Sequence, residues 1–92
     1  MRAVKFEWDE AKRLSNIAKH DIDFGRAITI FRSDPYIIPA RPSGTEERGI
    51  AIGPLTDILI AVIYTQREDV WRIISARRAR DNERRRYQAL HG

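Results

Sequence analysis

The chain has 92 residues, with 17 Lys plus Arg against 13 Asp plus Glu and no cysteine. That length predicts one domain across residues 1–92 with a small core, and the lack of cysteine excludes disulfide scaffolds, Cys-based zinc ribbons and thiol nucleophiles. The net charge of +4 splits into +5 for residues 72–86, where seven arginines face only Asp81 and Glu83, and −1 for the ten basic and eleven acidic residues elsewhere.

Fourteen of the 17 cations are arginine, whose planar fork binds phosphate through two parallel hydrogen bonds. A local arginine excess therefore predicts a phosphate-bearing partner, most simply nucleic acid. The longest apolar run, Ile58 to Tyr64, has seven residues, far short of the roughly 20 a membrane helix needs. The N-terminal segment meets Glu7 and Asp9 too soon for a signal-peptide core. A soluble, cytoplasmic protein is expected.

In chain order, Val4 to Trp8 reads as a short strand or arm. Asp9 is an N-cap, and Ala11, Leu14, Ile17 and Ala18 recur at helical spacing, predicting a helix to about His20. Asp23 caps a second short helix in which Phe24, Ala27, Ile28 and Phe31 form the apolar stripe, ending near Arg32 before Ser33-Asp34-Pro35. Tyr36 to Ile38 fits an edge strand bounded by Pro35 and Pro39, and Arg41 to Thr45 a loop. Glu46 to Gly53 alternates, with Arg48, Ile50 and Ile52 on one face. Ile58 to Thr65, apolar on both faces, is the expected central strand. Val70 to Arg77 is the next, with Trp71, Ile73, Ser75 and Arg77 on one face and Val70, Arg72, Ile74 and Ala76 on the other. A last helix runs from about Arg80 or Asp81 to Leu90. The expected fold is α+β, with two N-terminal helices and a C-terminal helix packed on an antiparallel sheet of three to four strands.

These segments resemble a known family. Phe6-Glu7-Trp8-Asp9-Glu10-Ala11-Lys12, then Asn16, Lys19-His20 and Phe24, are similar to the opening of the BrnT toxins of type II toxin–antitoxin systems. Glu46-Glu47-Arg48 with Gly53, then Tyr64-Thr65, Arg72-Ile73-Ile74-Ser75-Ala76-Arg77 and Glu83-Arg84-Arg85-Arg86-Tyr87 follow the family's later motifs in order. The match covers about residues 6–88. Asp21 stands where the family usually has glycine, and Gly25-Arg26 where it has an acidic pair. The resemblance implies a RelE-like ribonuclease toxin silenced by a BrnA-like ribbon-helix-helix antitoxin. It also implies a heterotetramer of two toxins and two antitoxins that binds operator DNA through the antitoxin.

Metal-free RNA cleavage needs a base for the ribose 2′-OH, cations for the phosphate and an acid for the leaving oxygen. Arg77, at a strand end, is the first candidate to hold the scissile phosphate, the alternative being an ion pair with a helix carboxylate. Arg72 and Ser75 fall on opposite faces of a regular strand, so only a bulge would bring them to one site; Arg72 reads as structural or supporting. Arg80, Arg84 and Tyr87 share one helical stripe, with Arg80 and Arg84 to bind RNA and Tyr87 to transfer a proton, stack on a base, or simply pack on the sheet. RelE-type toxins likewise carry a C-terminal tyrosine near arginines. Asp81 and Arg85 are spaced for a salt bridge.

Glu47 is a candidate general base and Arg48 an RNA contact, though strand neighbours point to opposite faces, and an ion pair serves as well. His20 is suited to acid–base work or to closing a helix, and Lys19 to phosphate binding or to plain solvation. With two histidines and no metal-binding spacing, no metal or cofactor is expected. Trp8 and Trp71 are expected in the core, and Asn16 in a polar network or on the surface. The alternative to a ribonuclease is a non-catalytic module that binds nucleic acid or docks the antitoxin in operon repression.

Overall fold

The computed structural model describes residues 5–43 and 46–91. The elements run β1 (Lys5–Trp8), α1 (Glu10–His20), α2 (Phe24–Ala27) continuing into a 3-10 turn (Ile28–Arg32), β2 (Tyr36–Ser43), β3 (Glu46–Leu55), β4 (Ile58–Arg67), β5 (Val70–Arg78) and α3 (Asp81–His91). The strands form one sheet in the order β1-β5-β4-β3-β2. The expected α+β class holds, but the sheet has five strands and is mixed. The segment read as a strand or arm is β1, which pairs in parallel with β5 from Lys5 opposite Val70 to Trp8 opposite Ile73; Val4 lies outside the described residues.

Local chemistry sets the helix starts. The Asp9 carboxylate accepts from the Ala11 and Lys12 amides, and Asp23 accepts from the Gly25 amide, satisfying donors that the first turn leaves unpaired. Asp21 ends α1 in the left-handed conformation, with φ 58°, its amide donating to the Ile17 carbonyl. Glycine reaches this conformation without cost, and aspartate is among the few side chains that tolerate it.

The apolar stripe expected on α1 is not its buried face. Leu14 is 55% exposed, Ala11 and Ala18 are exposed, and the buried residue of α1 is Asn16. In the second helix Phe24, Ala27 and Ile30 are all fully buried. They follow a spacing of three because the backbone tightens to 3-10 geometry after Ala27, and Phe31 moves to the half-buried rim.

β2 is an edge strand as expected, but it runs through Pro39 and Pro42 to Ser43, so part of the predicted loop is strand; residues 44–45 lie outside the described residues. An edge strand accommodates proline because one row of its amides has no ladder partner. β4 is central, and its Ile60, Ala61 and Val62 are fully buried on both faces. Gly49, Ala51 and Gly53 of β3 face the helices. A Cβ on Gly49 would lie 2.6 Å from the Tyr64 hydroxyl, and one on Gly53 2.9 Å from Ile30 Cβ. Trp8 and Trp71 pack on the core's rim and are partly exposed, contrary to the core placement expected. Trp71 stacks on Tyr64 with ring centroids 5.0 Å apart, and Phe31 meets both rings edge-on.

Candidate functional site

The bulge in β5 governs what this strand presents. Ser75 lies opposite Ile63 and Ile73 opposite Tyr64, so Ile74 is an extra residue without a partner on β4. The regular alternation expected for residues 70–77 therefore breaks. Trp71, Ile73 and Ala76 fall opposite Gln66, Tyr64 and Val62, whereas Arg72, Ser75 and Arg77 fall opposite Thr65, Ile63 and Ala61. Arg72 and Arg77 thus share a face by register, with their rows about 13 Å apart along β4 at roughly 3.3 Å per residue.

Asn16 braces the bulge. β1 ends opposite Ile73, so the outer edge of β5 has no strand partner beyond that point among the described residues. The Asn16 amide takes that place: Nδ2 donates to the Ala76 carbonyl at 2.8 Å, and Oδ1 accepts from the Ala76 amide at 3.1 Å. Nδ2 also donates to the Ile22 carbonyl at 2.9 Å. A side-chain amide thereby replaces a strand's peptide group on a sheet edge that would otherwise be buried unpaired.

The seven arginines of residues 72–86 divide into two groups. Arg77 donates from both terminal nitrogens to Glu83, at 2.8 and 2.9 Å, and its side chain is 17% exposed. Glu83, 5% exposed, also accepts from the Arg80 amide at 2.7 Å, closing the first turn of α3. The Arg77 guanidinium, together with burial acting in opposition, leaves the Glu83 carboxyl below its ordinary range. Arg77 therefore occupies the ion pair that was the alternative to phosphate binding. Arg72 donates to Glu7 at 2.6 Å. Arg84 donates to Asp81 at 2.6 Å, in place of the Asp81–Arg85 pair expected. Arg78, Arg80, Arg85 and Arg86 are exposed and have no carboxylate partner among the described residues.

The other sequence candidates are dispersed. Tyr87 stacks on His91, with ring centroids 4.3 Å apart, and its neighbour Arg84 turns to Asp81 instead. Glu47 lies opposite Gln66, and its charge, after burial, helps push the Tyr64 phenol above its ordinary value. Arg48 lies opposite Thr65 and so flanks it together with Arg72. Lys19 and His20 do come together with other polar groups. They line a groove of about 230 Å3 with Lys12, Ser15 and Asn16 of α1 and Ile74 and Ser75 of the bulge. Lys12 and Ser15, which line this groove, were not among the sequence candidates, although the spacing of Lys12, Asn16 and Lys19 places them on one helical stripe.

Fold and surface together define a small α+β protein in which an arginine-rich C-terminal helix follows a bulged strand. The family model described as "Ribonuclease toxin, BrnT, of type II toxin-antitoxin system" matches residues 8–83. The crystal structure of the Brucella abortus ribonuclease toxin BrnT superposes with a TM-score of 0.71 at 35% sequence identity, covering 86% of this chain and 100% of that one. No curated protein matches the chain. The chain belongs to the BrnT family of ribonuclease toxins, and as a type II system component it has an antitoxin as partner. Among the described residues, no helix is long and apolar enough to cross a membrane.

Proposed function

We propose that this protein is an endoribonuclease that cleaves RNA without a metal ion and stops translation and growth until its antitoxin binds. The ribose 2′-oxygen loses its proton and attacks phosphorus. The P–O5′ bond breaks, and the 5′-oxygen takes up a proton. DNA lacks the nucleophile, so the reaction is restricted to RNA. Charge builds on the phosphate's equatorial oxygens, which hydrogen-bond donors carrying positive charge stabilise.

The observation that carries this reading, beside family membership, is the set of four exposed arginines, Arg78, Arg80, Arg85 and Arg86, whose guanidinium groups form no salt bridge with a carboxylate among the described residues. They give the polyanion a landing surface. The partner is a BrnA-like ribbon-helix-helix antitoxin, joined as a pair of toxins with a pair of antitoxins. Its DNA-binding end represses the shared operon, and both proteins act in the cytoplasm.

Induction of the protein alone, with growth and total RNA followed over time, tests the reading. Growth arrest with RNA fragments ending in 2′,3′-cyclic phosphate is expected, reversed by co-expression of the neighbouring gene. Normal growth and intact RNA with soluble protein present would refute it.

A further inference from the structure

The charges of α1 are sorted by face. Arg13 holds Glu10, its Nε donating at 2.9 Å, and it also reaches Asp23 at 3.0 Å. Asp9 is committed to the helix cap. The stripe of Lys12, Ser15, Asn16 and Lys19 therefore faces β5 with no carboxylate of α1 beside it. The groove along that stripe is lined by two lysines, a histidine and two serines, and no carboxylate lines it among the described residues.

Neighbouring grooves differ in this respect. The one beside Arg72, about 340 Å3, includes Glu7 and Glu68. The one beside Arg78 and Arg84, about 280 Å3, includes Asp57. An anion entering either meets a like charge, whereas the α1–β5 groove offers the Lys12 and Lys19 ammonium groups, serine hydroxyls, the Asn16 amide and the His20 imidazole, with no carboxylate among the described residues. Its β5 side is the bulge, Ile74 and Ser75, next to the Ala76 that Asn16 holds, with Ser75 Oγ 3.4 Å from Asn16 Oδ1, and strand bulges serve to re-aim side chains.

We propose that this groove, and not the Arg77–Glu83 pair, seats the scissile phosphodiester of RNA, with Lys12 and Lys19 on its oxygens and His20 as the catalytic residue. The assignment rests on the ribonuclease reading and locates its chemistry. The His20 imidazole accepts the 2′-hydroxyl proton as the P–O2′ bond forms and the P–O5′ bond breaks. The departing 5′-oxygen takes a proton from water, and the resulting hydroxide removes the proton held by His20. The products are a 2′,3′-cyclic phosphate and a free 5′-hydroxyl, with no net oxidation or uptake of atoms. The exposed arginines of α3 grip the strand outside the reacting unit.

The test uses the intact protein and two probes that cannot react, inorganic phosphate and a short single-stranded 2′-deoxyoligonucleotide. Amide shifts followed by NMR are expected at Lys12, Ser15, Lys19, His20 and Ser75. Lys12→Ala with Lys19→Ala is expected to weaken oligonucleotide binding at least about tenfold at low salt. His20→Gln is expected to leave that binding within about twofold while RNA cleavage falls about a hundredfold or more, the scale of a lost proton-transfer group. Shifts confined to α3, or RNA cleavage unchanged in His20→Gln, would overturn the assignment. If the wild-type protein cleaves no RNA and the probes still map to the groove, the ribonuclease reading falls while the phosphate seat stands.

Discussion

Glu83→Gln is the perturbation that separates a structural arginine from a catalytic one. Glu83 is 5% exposed and bonds Arg77 through both oxygens, one of which also accepts the Arg80 amide. The glutamine keeps the shape and one acceptor but removes the charge, leaving a guanidinium that is 17% exposed without its counter-ion. Removing one partner of a buried pair costs about 3–5 kcal/mol. Because Arg77 can turn partly to water, about 2–3 kcal/mol is the expected loss, with the weakened helix start included. At roughly 4–8 °C per kcal/mol for a domain of this size, the melting temperature should drop by about 10–20 °C.

The pair also has a pH signature. The folded-state carboxyl of Glu83 lies below its ordinary value, so its contribution is complete above the unfolded value of about 4.3 and fades as pH falls through the lower folded value. Thermal melts by circular dichroism from neutral pH into the acid range are the assay. Wild type should lose stability more steeply than Glu83→Gln below about pH 5. Adding Arg77→Met to Glu83→Gln should recover much of the loss, since both charges are then gone. A shift under about 3 °C with parallel pH profiles would refute the assigned role, given the expected scale. RNA cleavage by the doubly substituted protein would establish that Arg77 is not required for the chemistry.

Three further outcomes are expected. Asn16→Ala leaves the Ala76 amide and carbonyl without the side-chain groups that bridge them; at about 1–3 kcal/mol per unsatisfied buried group, urea unfolding should show a loss of about 3 kcal/mol, with amide exchange at Ala76 accelerated. Gly49→Ala forces its new Cβ against the Tyr64 ring; an overpacking cost of about 1–3 kcal/mol and altered near-ultraviolet dichroism from the Tyr64–Trp71 stack should follow. Changing Arg78, Arg80, Arg85 and Arg86 to Gln should weaken single-stranded RNA binding uniformly across sequences, and the log–log salt slope should shrink by about 0.7 for each phosphate no longer neutralised. Fluorescence anisotropy over a salt series checks this last outcome.

Residues 9–32 show what is legible locally. Asp9 and Asp23 announce their helices because a cap depends on a carboxylate and amides two or three residues away. β4 is recognisable as central because its apolar run has no polar face. The +5 concentrated in residues 72–86 and the ordered family motifs point to a nucleic-acid substrate before any geometry is known.

Tertiary structure decided the remainder. Nothing near Trp8 announces a parallel partner, because that pairing spans some sixty residues and depends on where β5 lies. The buried side chain of α1 is Asn16 and not Leu14, because the helix covers a sheet edge that needs a hydrogen-bonding group more than an apolar one. The bulge at Ile74 has no glycine to mark it, yet it reverses which arginines share a face. The sequence alone determined that a surplus of arginine sits at a strand-to-helix junction. That Arg72 and Arg77 are neutralised was decided only by the three-dimensional placement of Glu7 and Glu83, because the strength of an ion pair depends on distance and burial, and composition records neither.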